Sequence, residues 1–144
     1  MNTTGILISS MLIASGLQAQ EAEVDTRIRT VAGLDVAQTK AFFNEIKRTV
    51  VSGDKRAVSG MIAYPTTVDL PGVKNKKVRT RAEFEANFEA IINQKVVKAV
   101  QDQAYANLFV NWRGVMIGNG EVWFTALKGP TGKFDQFRII KVNN

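Results

Sequence analysis

Few side chains in this chain suit acid–base catalysis or metal binding. The 144-residue sequence contains no histidine and no cysteine. Without histidine the chain lacks the commonest general base and the commonest metal ligand, and a Ser-His-Asp triad is impossible. Without cysteine it can form no disulfide, no thiolate metal site and no cysteine nucleophile. We therefore expect neither a metal centre nor a cofactor.

The best remaining pair for proton transfer is Asp69 with Tyr64. A carboxylate whose pKa is raised by an apolar cavity can act as a base, and a nearby phenol can donate a proton. The alternative is structural, because Asp69 precedes a Pro71-Gly72 turn, where a carboxylate commonly accepts backbone hydrogen bonds. The residue types favour the structural interpretation, so we do not expect catalysis to be the main role.

Aromatic and polar side chains in the last third of the chain are candidates for ligand binding. Trp112 and Trp123 could stack on a flat ligand, with Asn111 beside them, and Arg138 could bind an acidic ligand. Two tryptophans on a sheet more often pack in a core or at a subunit interface. Both interpretations stay open on sequence grounds.

Residues 74–81 carry five basic side chains, namely Lys74, Lys76, Lys77, Arg79 and Arg81. They could meet an anionic partner such as lipid head groups or an acidic protein. Nucleic acid is not expected, because no aromatic residue lies between Pro71 and Phe84 to stack on bases. The alternative is a soluble edge hairpin that its lysines protect from aggregation.

The N-terminal segment has the features of a signal peptide. Residues 1–20 contain no charged side chain, and an apolar run from Gly5 to Leu17 ends near a small residue, Ala19. The run is too short to span a membrane. We expect cleavage near Ala19, export to the periplasm or the exterior, and no stable membrane span afterwards. Residues 20–34 would form a loose lead-in and residues 35–144 a single domain, and the protein that remains after cleavage would keep the net charge of +6.

Local signals in the sequence predict three helices and five strands. Asp35 and Gly53 bound a first helix, and Asp54 begins a short second helix that ends before Tyr64-Pro65. Thr80 begins a third helix with an apolar stripe. Strands are predicted at 66–70, 73–79, 105–117, 121–127 and 134–142, and residues 94–103 are either a strand or a helix tail.

The strongest tertiary signal is a hairpin about Asn119-Gly120. With that turn, Val115 faces Phe124 and Met116 faces Trp123; a turn at Gly118 would exchange the two faces. Both faces of the hairpin are apolar, whereas a surface hairpin would be polar on one side. We therefore expect one face to pack on helices and the other to be covered by another layer, a partner subunit or a ligand.

This order of elements, over about Asp35 to Val142, resembles the nuclear transport factor two-like superfamily. Residues 108–124 (LFVNWRGVMIGNGEVWF), with Tyr64-Pro65 after the second helix, also resemble small secreted bacterial members of uncharacterised role. The resemblance implies an α+β, cone-like fold, with three helices of the N-terminal half packed on a curved, mostly antiparallel sheet. Many members dimerise through the outer sheet face. No catalytic motif of the superfamily carries over to this sequence.

Three functions follow as hypotheses. The leading one is an exported, non-enzymatic binding or assembly domain that holds a small apolar ligand in the cone or forms a homodimer through its sheet. The first alternative is a small proton-transfer enzyme, similar to an isomerase or dehydratase, with Asp69 as base and Tyr64 as donor. The second is a protein-interaction or immunity-type module that uses the basic hairpin at 74–81.

Overall fold

The computed structural model describes the backbone of residues 4–144 and the side chains of residues 13–144. The helices of this part are α1 (Thr4–Thr30), α2 (Val36–Ser52), α3 (Lys55–Met61), α4 (Arg81–Ala86), α5 (Phe88–Ile91) and α6 (Gln94–Asp102). The strands are β1 (Thr66–Leu70), β2 (Val73–Val78), β3 (Phe109–Asn111), β4 (Gly114–Ile117), β5 (Val122–Lys128) and β6 (Phe134–Val142). No helix in the described part has the length and apolar character needed to span a bilayer.

The strands form two antiparallel sheets. Strands β3, β4, β5 and β6 are neighbours in chain order in a four-stranded meander, while β1 and β2 form a separate pair. Val115 lies opposite Phe124 and Met116 opposite Trp123, so the register predicted from Asn119-Gly120 is confirmed. The predicted α+β class is also confirmed.

The inner face of the four-stranded sheet forms one side of the hydrophobic core. Val115, Ile117 and Phe124 on this face are fully buried. Helices α2, α4 and α6 contribute buried side chains to the same core, among them Ile46, Phe84, Val96 and Val100. The protein's own side chains therefore cover the face that the sequence predicted to pack on helices.

The first two predicted helices begin and end at the expected residues. Asp35 accepts a hydrogen bond from the backbone N–H of Gln38 at 2.8 Å, and Asp54 caps α3 through Ala57 at 3.0 Å. Gly53 ends α2 with φ of 70°, a conformation that glycine adopts without a Cβ clash. The Tyr64-Pro65 peptide bond that follows α3 is cis.

The predicted third helix is divided. Asn87 interrupts it with φ of −114° and donates its side-chain N–H to the Glu83 carbonyl, which separates α4 from α5. Residues 94–102 form α6, and Asn93 caps it by accepting from the Val96 N–H at 3.1 Å. Val96 and Val100 are both fully buried at helical spacing, so burial outweighs the strand preference of valine.

The prediction that residues 20–34 form a loose lead-in is wrong for most of this segment. Helix α1 continues to Thr30, and its Val24 and Ile28 are fully buried one turn apart. These two apolar residues, in a polar stretch, are too weak a periodic signal to predict a helix from the sequence. The predicted signal peptide at 1–19 falls largely on residues whose side chains lie outside the described part.

The single strand predicted at 105–117 is also wrong. A 3₁₀ turn at Tyr105–Asn107 precedes β3, and Trp112 and Arg113 form a tight turn into β4. Gly114 has φ of +137°, and a Cβ there would collide with the Phe124 carbonyl oxygen. Glycine thus permits the reversal that turns one predicted strand into two, and it leaves Trp112 at a turn.

Candidate functional site

Asp69 lies in the β1–β2 hairpin and is engaged in local contacts. Its Oδ1 accepts from the Asn75 N–H at 2.9 Å, and its Oδ2 accepts from Lys74 Nζ at 3.0 Å. The backbone hydrogen bond, followed by the Lys74 contact, lowers the pKa of Asp69. A carboxylate with a lowered pKa is a weak base, so these contacts fit a structural role.

Tyr64 lies in a different environment from Asp69. Its hydroxyl donates to the Ser59 carbonyl at 2.7 Å, and its ring packs edge-on against Phe84. Burial raises the pKa of Tyr64 to about 12. The cavity of about 90 Å³ beside Asp69 is lined by the hairpin and the C-terminal residues, not by Tyr64. The structure does not bring the two residues together as a proton-transfer pair.

The basic hairpin is partly neutralised by nearby carboxylates. Lys74 pairs with Asp69, Lys76 approaches Glu83 at 3.8 Å, and Arg81 contacts Glu85 at 3.3 Å. Within the described residues, only Lys77 and Arg79 of the five bases lie beyond ion-pair distance of a carboxylate. The charge available to an anionic partner is therefore smaller than the sequence indicates.

The outer face of the four-stranded sheet carries a row of apolar side chains, here called the outer row: Phe109, Met116 and Trp123. Phe109 pairs with Met116 across β3 and β4, and Met116 pairs with Trp123 across β4 and β5. The rings of Phe109 and Trp123 meet edge-to-face, 6.3 Å between centroids, and Phe109 is 50% exposed. Met116 and Trp123 are half-buried, so the second apolar face of the predicted hairpin is only partly covered by the chain itself.

The predicted ligand-binding residues do not converge on one pocket. Trp123 belongs to the outer row, and Arg138 lies on β6, where its guanidinium donates to the Phe137 carbonyl at 2.7 Å. Asn111 accepts from the Arg113 N–H at 2.8 Å and so stabilises the β3–β4 turn. Trp112 projects from that turn and is 75% exposed. Stacking of a flat ligand between the tryptophans has no support in this arrangement.

Two open grooves of the described part border the four-stranded sheet. One, of about 510 Å³, lies between α6 and the β4–β5 turn, with Lys98, Asp102 and Glu121 in its lining. Another, of about 370 Å³, has Phe42 and Phe137 as its apolar lining. Neither is lined by the central residues of the inner sheet face.

A polar cluster that no local sequence signal predicts joins α1 to the domain. The Tyr105 hydroxyl donates to Asp25 Oδ1 at 2.5 Å, and Lys40 Nζ lies 3.6 Å from Asp25 Oδ2. Burial, followed by the Asp25 hydrogen bond, raises the pKa of Tyr105. Eighty positions separate Tyr105 from Asp25, so only the fold brings them together. No His, Cys, Asp or Glu cluster in the described residues could hold a metal.

No family model, curated protein or solved structure matches this chain. Its function must therefore be inferred from its own geometry.

Proposed function

We propose that this protein is an exported, non-enzymatic assembly domain that binds a second copy of itself through the outer row. The observation that carries the proposal is the row itself, Phe109, Met116 and Trp123, on the solvent side of three adjacent strands. An antiparallel sheet that faces water normally carries polar side chains on that side. A contiguous apolar surface usually marks an interaction site.

The interior of the domain supports an interface in preference to a ligand cavity. The central inner-face residues Val115, Ile117 and Phe124 are buried against helices of the same chain. The environment of Asp69 argues against the enzyme hypothesis, because its carboxylate is hydrogen-bonded and its pKa is lowered. The outer row is then the best-supported binding surface.

A second copy of the chain suits the outer row because the same row on each copy can form the two sides of one interface. A two-fold axis near Met116 would place apolar side chains on apolar side chains, with each aromatic ring covered by the partner copy. Aromatic residues at the centre of an interface commonly carry much of its binding energy. The resemblance to the nuclear transport factor two-like superfamily, whose members often dimerise through this face, agrees with that arrangement.

Export is the second part of the proposal. The uncharged, apolar N-terminal run supports cleavage near Ala19 and a periplasmic or secreted product. Ile13 and Leu17, within that run, are exposed, so they contribute nothing to the core. Mass spectrometry of the protein recovered from its native host would find an N-terminus near Gln20. An intact N-terminus on exported protein would contradict this part of the proposal.

The assembly is tested by light scattering over a concentration series, with protein that begins at Gln20. We expect the wild type to reach the mass of a dimer and Met116→Arg to stay monomeric, because arginine would place a charge in the apolar contact. Val51→Arg, an exposed position on α2, is the matched control and should dimerise. Circular dichroism checks that both variants are folded. A monomeric wild type, or a dimeric Met116→Arg, would overturn the proposal.

A further inference from the structure

Two chain reversals lie at the same end of the four-stranded sheet. In an antiparallel meander the β3–β4 turn and the β5–β6 loop are at one end, and the β4–β5 turn is at the other. We call this end the aromatic tip and define it by Trp112, Arg113, Leu127, Lys128, Lys133 and Phe134. It is separate from the outer row, which crosses the sheet nearer the β4–β5 turn.

The aromatic tip exposes large apolar side chains. Trp112 is 75% exposed, Phe134 is 64% exposed and Leu127 is 37% exposed. The grooves described above are not lined by Trp112 or Phe134. Both rings therefore lie at projecting chain reversals. A broad surface can contact them there, whereas a small ligand would not be enclosed.

The cations of the aromatic tip lie next to its aromatic rings. The Arg113 guanidinium is 5.0 Å from the Trp112 ring centroid, and Lys128 Nζ is 5.7 Å from that of Phe134. Among the described residues, neither these two cations nor Lys133 lies within ion-pair distance of a carboxylate. Asp135 is the acidic residue at this end, and it lines the groove beside α2.

We propose that the aromatic tip docks the protein onto the surface of an anionic phospholipid bilayer. Tryptophan and other amphipathic rings favour the head-group level, where the apolar part leaves water. Lysine and arginine beside them would meet lipid phosphates, and each such residue strengthens binding about five-fold near an anionic surface. The basic hairpin lacks this combination, because carboxylates pair with several of its cations.

Lipid fits the tip better than an acidic protein does. A protein partner needs a shaped surface of complementary groups, whereas a bilayer accepts projecting rings wherever the surrounding charge is favourable. The tip offers projecting rings and cations beyond ion-pair distance of a carboxylate, and neither groove described above is lined by those rings. The proposal does not depend on dimerisation, since it uses residues outside the outer row.

The test is sedimentation of protein beginning at Gln20 with vesicles of phosphatidylglycerol and phosphatidylcholine, compared with vesicles of phosphatidylcholine alone. We expect binding to the anionic vesicles only. Lys128→Glu should weaken it at least about five-fold, and the double variant Trp112→Ala with Phe134→Ala should weaken it further. Lys77→Glu is the matched control, a lysine without an ion pair on the basic hairpin, and it should bind as the wild type does.

Fluorescence gives a second measurement, which reports the environment of the tip itself and not only the amount of protein that sediments. In a Trp123→Phe background the remaining tryptophan is Trp112. Its emission should shift to shorter wavelength when anionic vesicles are added. Equal binding to neutral vesicles, an unshifted Trp112 emission, or equal losses for Lys77→Glu and Lys128→Glu would overturn the proposal. So would tip-dependent binding of soluble polyglutamate without vesicle binding, which would indicate an acidic protein.

Discussion

Both tyrosines donate their hydroxyl proton to an oxygen atom of the protein. Tyr64 donates to the Ser59 carbonyl and Tyr105 to the Asp25 carboxylate. Burial is the main reason that the pKa of each is raised, to about 12 for Tyr64. The folded protein therefore holds these protons more tightly than the unfolded chain does, in which a tyrosine titrates near a pKa of about 10.

This difference predicts a loss of stability at alkaline pH. The stabilisation is fully present below about pH 10, and it falls as the pH rises toward the raised pKa values, because the unfolded chain then releases protons that the folded protein retains. Absorbance at 295 nm should show little tyrosinate in the folded protein at pH values where guanidinium-unfolded protein is already ionised. Tyr64→Phe should weaken the alkaline loss. Ionisation of half the tyrosine signal near pH 10 in folded protein would contradict this prediction.

Among the α1 residues whose side chains the structure describes, the buried ones all lie after Ala19. Val24 and Ile28 insert into the core, and Asp25 accepts the Tyr105 hydrogen bond. All three residues lie after Ala19. The part of α1 that precedes these residues in the chain carries the exposed Ile13 and Leu17. Cleavage near Ala19 would therefore leave intact every α1 contact with the core described above.

We expect protein that begins at Gln20 to unfold in urea with the same free energy as the full chain. On that shorter protein, Ile28→Ala should lower the free energy of unfolding by about 2–4 kcal/mol, as a truncation in a packed core does. Val31→Ala, at an exposed position just beyond α1, is the control and should have little effect. If removal of residues 1–19 cost as much as Ile28→Ala, the division of α1 at Ala19 would be wrong.

Elements with local signals could be predicted from the sequence. Asp35 and Asp54 each supply a capping carboxylate within one turn of the helix they begin, and Asn119-Gly120 determines the hairpin register. The structural interpretation of Asp69 had the same local basis, since its partners Lys74 and Asn75 lie in the same hairpin. In each case the residues involved are close together in the chain.

Elements that depend on distant partners could not be predicted. The end of α1 is stabilised by a core and a Tyr105 hydroxyl that lie far along the chain. The turn at Trp112 and Arg113 has neither glycine nor proline at its centre, and it depends on Gly114 approaching the Phe124 backbone. The aromatic tip could not be predicted for the same reason. The sequence places Trp112 on the sheet face, whereas in the structure it lies at this turn.

The charge of the whole molecule affects the two proposed surfaces in opposite directions. Each copy carries a net charge of +6. Lys141 lies opposite Trp123 at the edge of the outer row, and Arg138 lies on the same strand. Dimerisation through the row therefore brings like charges together and depends on apolar contact. Docking of the aromatic tip brings its cations to lipid phosphates, so there the same charge is attractive.

Salt should consequently strengthen dimerisation and weaken vesicle binding. The Debye length falls from about 30 Å at about 0.01 M salt to about 8 Å at about 0.15 M, which screens both effects. Sedimentation velocity should report a tighter dimer at the higher salt, while vesicle sedimentation of the same preparation reports weaker binding. Met116→Arg should lose the first response and keep the second, whereas Lys128→Glu should keep the first and show a smaller second response, because two cations of the tip remain. If salt weakened both, the dimer would be held by ion pairs, and the outer row would not be its interface.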